Sequence, residues 1–177
     1  MKMLVVDDAH PKVELVARAI KTTALDVQMS HETNAFSARQ RLRREEFDLV
    51  LIDLQLPDMA GSVPNPQGGL TFFDTFIQDT QVTLPAEILF ITSEDSLVER
   101  GKLEVERRGS ALCVVSASSE TWINTLSGQI QLAALRANRR VRTFDFAIIT
   151  ALATELDAVL NLPYGWEKMR LKGDPTL

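Results

Sequence analysis

The sequence predicts an α/β fold: five strand-then-helix units around an open parallel sheet, followed by a short βα extension. Two observations carry this. Short β-branched or aliphatic runs alternate with longer segments of helical period, the pattern of βα units. Acidic or hydroxyl residues then close three of the runs: Asp7-Asp8, Asp53 and Thr92. In an open parallel sheet that is where function gathers, at the carboxyl ends of the strands near the point where strand order reverses.

Lys2 to Val6 reads as the first strand, and the segment after Pro11 puts Val13, Val16, Ala17 and Ile20 on one helical stripe, with Pro11 suited to a first turn. Leu25, Val27 and Met29 alternate as in a strand near a sheet edge, and Ala35, Ala38 and Leu42 recur at helical spacing up to a break near Phe47. Leu49 to Leu54 is a continuous apolar strand interrupted only by Asp53. A loop through Pro57, Pro64 and Pro66 leads from it to a helix bearing Leu70, Phe73, Phe76 and Ile77. Glu87 to Thr92 gives a fourth strand, and Leu97 to Arg108 a polar helix ended by Gly109. Ala111 to Val115 is the fifth strand. Glu120 to about Arg140 is the last helix of the set, with Trp122, Leu126, Ile130, Ala133 and Ala137 as its apolar stripe.

Composition narrows the function classes. A chain of 177 residues, 45% hydrophobic and 24% charged, can bury one substantial core with some chain to spare. A net charge of -5 argues against nucleic-acid binding, which depends on clustered Lys and Arg. Arg39, Arg41, Arg43 and Arg44 read as a solvated helix face. No apolar run approaches the roughly 20 residues of a membrane span, and the start lacks the apolar stretch and cleavage site of a secretory signal. A cytoplasmic protein is expected. The single cysteine, Cys113, reads as an inert buried thiol.

Three carboxylates a few ångströms apart raise one another's pKa unless a cation joins them. Mg²⁺ accepts one or two carboxylates, keeps several waters and leaves positions for phosphate oxygens. Asp8 and Asp53 with the backbone carbonyl of Gln55 suit such an ion, and Asp7 suits a metal-bound water. An Asp carboxylate can attack a phosphoryl group to give an aspartyl phosphate, and Thr92 offers it a hydroxyl. Taken alone, an acidic pair after a strand also fits turn and capping residues.

Val5-Val6-Asp7-Asp8, Leu51-Ile52-Asp53-Leu54-Gln55-Leu56-Pro57 and Phe90-Ile91-Thr92-Ser93, in that order, closely resemble the receiver domain of two-component response regulators. The resemblance covers roughly residues 1 to 138 and implies a flavodoxin-like, doubly wound (βα)5 sheet. It further implies Asp53 as phosphoryl acceptor, Asp7 and Asp8 in the Mg²⁺ site, Thr92 as switch hydroxyl, and a histidine kinase or phosphotransfer protein as donor. Two departures stand out. The family's strand-five lysine is replaced by Ser116, with no lysine nearby in the sequence to take its place, and Cys113 stands where an aromatic often couples the switch to the output face. The loop Asp58 to Gly69 is longer than usual, suited equally to a gate or partner contact and to a tolerated insertion. His10 reads as an N-terminal helix residue that can also influence phosphoryl access, and His31 has no metal-ligand spacing.

Residues 139 to 177 read as a linker and a second start: a strand over Thr143 to Thr150, a helix over Ala153 to Asn161, and a further strand over Trp166 to Leu171. Phe144 to Leu152, Glu155 to Val159 and Trp166 resemble the opening βα unit of the nucleoside phosphorylase and nucleosidase superfamily. That resemblance implies a truncated effector domain whose catalytic residues lie past Leu177; an ordinary strand and linker helix is the plainer alternative. Three functions are thus open: a phosphoryl-receiving regulator of a C-terminal effector, not itself an enzyme; a pseudo-receiver acting by protein contact; or the regulatory part of a nucleoside-cleaving enzyme. No nucleic-acid or membrane partner is expected. Pairing of two copies through the last two helices is an expectation from the resemblance.

Overall fold

In β1 (Lys2–Val6) the alternation of a strand sends Leu4 and Val6 to one face of the sheet and Met3 and Val5 to the other, and all four are fully buried. β3 (Leu49–Asp53) does the same, with Val50 and Ile52 on the first face and Leu49 and Leu51 on the second. A strand apolar on both faces must be covered twice. α2 (Ala35–Leu42), α3 (Gly68–Phe76) and Val105 of α4 (Asp95–Arg107) cover the first face; α1 (His10–Thr22) and α5 (Thr121–Arg139) cover the second. The sheet is completed by β2 (Gln28–Glu32), β4 (Glu87–Thr92) and β5 (Ala111–Val114), all parallel, in the order β2-β1-β3-β4-β5. This is the expected doubly wound (βα)5 sheet, and its order reverses between β1 and β3. The coordinates are a computed structural model and describe residues 1–93, 95–116 and 121–139, together with 157 and 161, without the side chains of 95–97, 99, 100, 138 and 139.

Helix ends are settled locally. Asn34 caps α2, its Oδ1 accepting from the Ser37 N–H at 2.9 Å. Gly109, at φ 71°, closes α4: its N–H donates to Glu106 O and that of Ser110 to Val105 O, the paired bonds of a Schellman ending.

Several expectations shift. β2 begins at Gln28, and the alternating set Leu25, Val27 and Met29 does not form one buried face: Leu25 and Met29 are exposed. Among the described residues β2 is an edge strand with no partner on its outer side, so its polar residues are tolerated. On α1, Ala19 rather than Ala17 completes the buried face, and Lys12 heads it. α3 begins at Gly68, so the glycine pair belongs to the helix and not to the loop. α4 is not uniformly polar and exposed, since Gly101 and Val105 are buried. The arginines of α2 and its C-cap are not simply solvated: Arg41 pairs with Glu32 and Glu45, Arg43 with Asp79, and Arg39 donates to Thr75 Oγ1.

The chain divides into two compact units, Met1–Val141 and Arg142–Leu177. The strands expected over residues 143–150 and 166–171 lie outside the described residues. Of the helix expected over residues 153–161, Asp157 and Asn161 are described, joined by an Asn161 N–H to Asp157 O bond of 3.1 Å at helical spacing. Among the described residues no helix is long and apolar enough to cross a membrane.

Candidate functional site

Strand order reverses between β1 and β3, and the three acids meet at the carboxyl ends of these strands. Asp7, Asp8 and Asp53 each bring a carboxylate oxygen within 4.8 Å of the others'. Asp7 continues the β1 ladder, its N–H donating to Glu32 O at 2.9 Å. Strand alternation therefore gives Asp7 the parity of Met3 and Val5, and Asp53 that of Leu49 and Leu51. Both belong to the side of the sheet covered by α1. Asp7 and Asp53 are buried, at 0% and 2% exposure, whereas Asp8 is exposed.

A lysine reaches this site from elsewhere in the chain. Lys12, from the first turn of α1, places its Nζ 2.7 Å from Asp53 Oδ1 and 3.1 Å from Asp7 Oδ2, with its side chain 7% exposed. The three side chains form a buried triad in which one ammonium serves two carboxylates. Asp7 Oδ1 accepts from the Ala9 N–H at 2.8 Å. With its two oxygens facing Ala9 and Lys12, Asp7 is committed within the protein, which leaves Asp8 and Asp53 as the acids better suited to an added cation. Lys12 escapes a motif reading because its four-residue spacing to Val16 places it on the apolar stripe. A lysine on a buried stripe was itself the signal: almost never fully buried unless paired, it needed acids facing it.

Electrostatics follow from this packing. Burial, reinforced by the negative charge of Asp7 and opposed by Lys12, pushes the Asp53 carboxyl up to about 7. Burial also raises Asp7, against the pull of Lys12 and the Ala9 N–H. Burial works to lower Lys12, but Asp53 and Asp7 outweigh it and its ammonium is held above the usual lysine range. Two buried carboxylates thus share one ammonium, with the exposed Asp8 alongside. Hard carboxylate oxygens that close fit a divalent ion such as Mg²⁺.

Backbone fit fixes Asp53. A Cβ on Gly69 would lie 2.0 Å from Asp53 O, and one on Gly68 1.9 Å from Leu56 O, so only glycine lets α3 start against the end of β3. The Gly69 N–H donates to Leu54 O at 3.0 Å. The loop between them is tied down by a Leu56–Asn65 bridge, and its Pro57 and Asp58 carbonyls accept the N–H groups of Ala35 and Phe36 at the start of α2.

Thr92 is buried at the end of β4, one position beyond Ile91, the partner of Asp53. Its parity is that of Phe90, so it belongs to the opposite face from Lys12. Ser116 follows β5 and its carbonyl accepts the Trp122 indole N–H at 2.7 Å. Cys113 lies opposite Ile91 and is buried, which pushes its thiol up to about 11. His31 Nε2 bonds to Asp7 O at 2.7 Å, so it supports the first acid's backbone; His10 pairs with Glu14 at the surface.

Solved structures share this architecture. The phosphorylated cyanobacterial phytochrome response regulator RcpA matches with a TM-score of 0.59 at 16% identity, over 75% of this chain and 93% of that one. The Mn²⁺-bound response regulator Rcp1 matches at 0.55 and 16% identity, over 72% and 89%. The chemotaxis response regulator CheY4 of Vibrio cholerae matches at 0.53 and 22% identity, over 75% and 97%. The fold is that of CheY-like receiver domains. No protein-family model matches the sequence. A relative in Sinorhizobium fredii, the uncharacterized protein y4jS, is 27% identical over 195 residues, covering 99% of this chain and 46% of that protein. The chain therefore spans less than half the length of this relative. In this chain the cation at the site is a helix-borne Lys12 beside Asp53, and a serine, Ser116, follows β5.

Proposed function

We propose that residues 1–138 form a signal-receiving domain that accepts a phosphoryl group on Asp53 with Mg²⁺ and so regulates a C-terminal effector. The observation that carries this is the buried Asp53, paired with a lysine ammonium and with the carboxylate oxygens of Asp7 and Asp8 within 4.8 Å, at the reversal of strand order. Asp8, Asp53 and the Gln55 carbonyl would hold the ion, which when bound neutralises charge on the entering phosphoryl group. Asp53 serves as nucleophile: one carboxylate oxygen forms a bond to phosphorus as the bond to the donor's leaving atom breaks, its electron pair staying with the donor. Thr92 donates its hydroxyl to a phosphoryl oxygen. A histidine kinase or phosphotransfer protein of the cytoplasm fits as donor, since Asp53 needs a phosphorylated side chain presented at the carboxyl end of β3. On this reading the domain assists its own phosphorylation but is not otherwise an enzyme. The tail from 139 onward belongs to an effector, with a nucleoside phosphorylase-like domain as its proposed identity.

Incubation with Mg²⁺ and acetyl phosphate, followed by intact-mass measurement, tests the reading. One added phosphoryl group is expected on the wild type and none on Asp53→Asn. An adduct that survives the substitution refutes Asp53 as acceptor.

A second reading, a pseudo-receiver that acts by protein contact alone, draws on Cys113 and Ser116, which remove the usual coupling aromatic and lysine. It predicts a partner bound equally by wild type and Asp53→Ala.

A further inference from the structure

We propose that Lys12 of α1 is the residue that meets a phosphoryl group on Asp53, supplying from the helix the positive charge that Ser116 cannot supply from the end of β5. The proposal rests on the reading of Asp53 as acceptor. Three features of Lys12 converge on it. Its Nζ lies 2.7 Å from Asp53 Oδ1, so the ammonium is already at the atom group where the phosphoryl charge would arrive. It is buried, which a lysine tolerates only when paired. It also sits in the first turn of a 13-residue helix, where the macrodipole disfavours a cation. A position unfavourable on two counts is held by the acids alone.

The ammonium also has capacity to spare. It carries three donors, and its polar partners among the described residues are the two carboxylates. On phosphorylation Asp53 exchanges a carboxylate charge for a phosphoryl group of greater negative charge. Lys12 then turns from the carboxylate toward a phosphoryl oxygen, keeping its proton throughout, and stays anchored through Asp7. Strand parity places Thr92 on the opposite face of the sheet, so ammonium and hydroxyl would hold the group from two sides. Lys12 is a positioning residue until the phosphoryl group is present and a catalytic one once it touches it.

The test uses the whole 177-residue chain, with acetyl phosphate as donor, and follows intact mass during loading and after donor removal. Lys12→Met keeps the length of the side chain without its charge; Lys12→Gln carries the same test if the Met variant does not fold. Loss of a charge-assisted contact is expected to slow loading or shorten the adduct's lifetime by about 10- to 100-fold. Lys12→Arg should recover part of the loss. Mg²⁺ titration separates this from damage to the fold: removing a neighbouring positive charge tightens Mg²⁺ binding, whereas a disrupted site binds it more weakly. A folded Met or Gln variant that loads and decays like wild type overturns the proposal and leaves the Asp53 reading standing. Weaker Mg²⁺ binding together with slower loading assigns Lys12 a structural role only and overturns it too. A wild type that takes no phosphoryl group from the donor overturns both.

Discussion

Replacing Asp53 with asparagine removes one of two buried carboxylates that share a single ammonium, and its effect on stability should depend on pH in a defined direction. Burial raises the native carboxyl from 3.8 to about 7. The native state therefore holds a proton that the unfolded chain has released, and stability falls as pH rises between those values. At about 1.4 kcal/mol per pH unit, the wild type forgoes up to about 4 kcal/mol by pH 8, spread over the coupled set of Asp53, Asp7 and Lys12. Asp7, also raised, adds in the same direction. Lys12 leaves this window unchanged: its raised native pKa keeps its contribution in place until the alkaline range. Asp74, Asp79 and Glu104, lowered chiefly by hydrogen bonds to arginines or a backbone N–H, lose their contributions only as pH falls below the window. The neutral amide of the Asp53→Asn variant keeps the shape and leaves Asp7 and Lys12 as a balanced pair. Urea unfolding in chelator at several pH values from 5 to 8 should show Asp53→Asn gaining on wild type steadily, with the difference levelling off above pH 7. A difference that shrinks with rising pH, or stays flat, would refute a buried and destabilising Asp53 charge.

Other outcomes follow from the same geometry. Mg²⁺ at about 100 times its Kd should stabilise the wild type by about 2.7 kcal/mol. That gain should vanish in Asp8→Ala, which alters an exposed residue and leaves the apo stability nearly unchanged; a gain that persists would remove Asp8 from the site. Gly69→Ala drives a Cβ to within 2.0 Å of Asp53 O. It should cost about 1–3 kcal/mol by overpacking, despite alanine's better helix propensity, and weaken Mg²⁺ binding as Asp53 shifts. Asn34→Ala loses the cap on the Ser37 N–H and should cost about 1 kcal/mol in urea unfolding, without altering Mg²⁺ affinity. Leu126→Ala, in the core under α5, should cost about 2–5 kcal/mol.

The alternation of apolar runs and helical stripes was enough to read the five units and the positions of Asp7, Asp8, Asp53 and Thr92, because strand ends and helix faces are properties of local period. β4 begins and ends where its residues predict, since an apolar run buried on both faces leaves little freedom. β2 does not, because an edge strand is held by pairing with β1 rather than by its own pattern. The role of Gly68 and Gly69 was equally hidden: a glycine's need for space shows only when the carbonyls of Asp53 and Leu56 are in place against it. Lys12 shows the division most clearly. Its place on the stripe of Val16 and Ile20 is written in the sequence, and so is the absence of lysine at Ser116. That α1 packs on the face to which Asp7 and Asp53 both point, and so delivers its ammonium between them, was decided by the tertiary structure. Charge acts through distance, and the distance between residues 12 and 53 is set by the winding of the sheet and not by their separation along the chain.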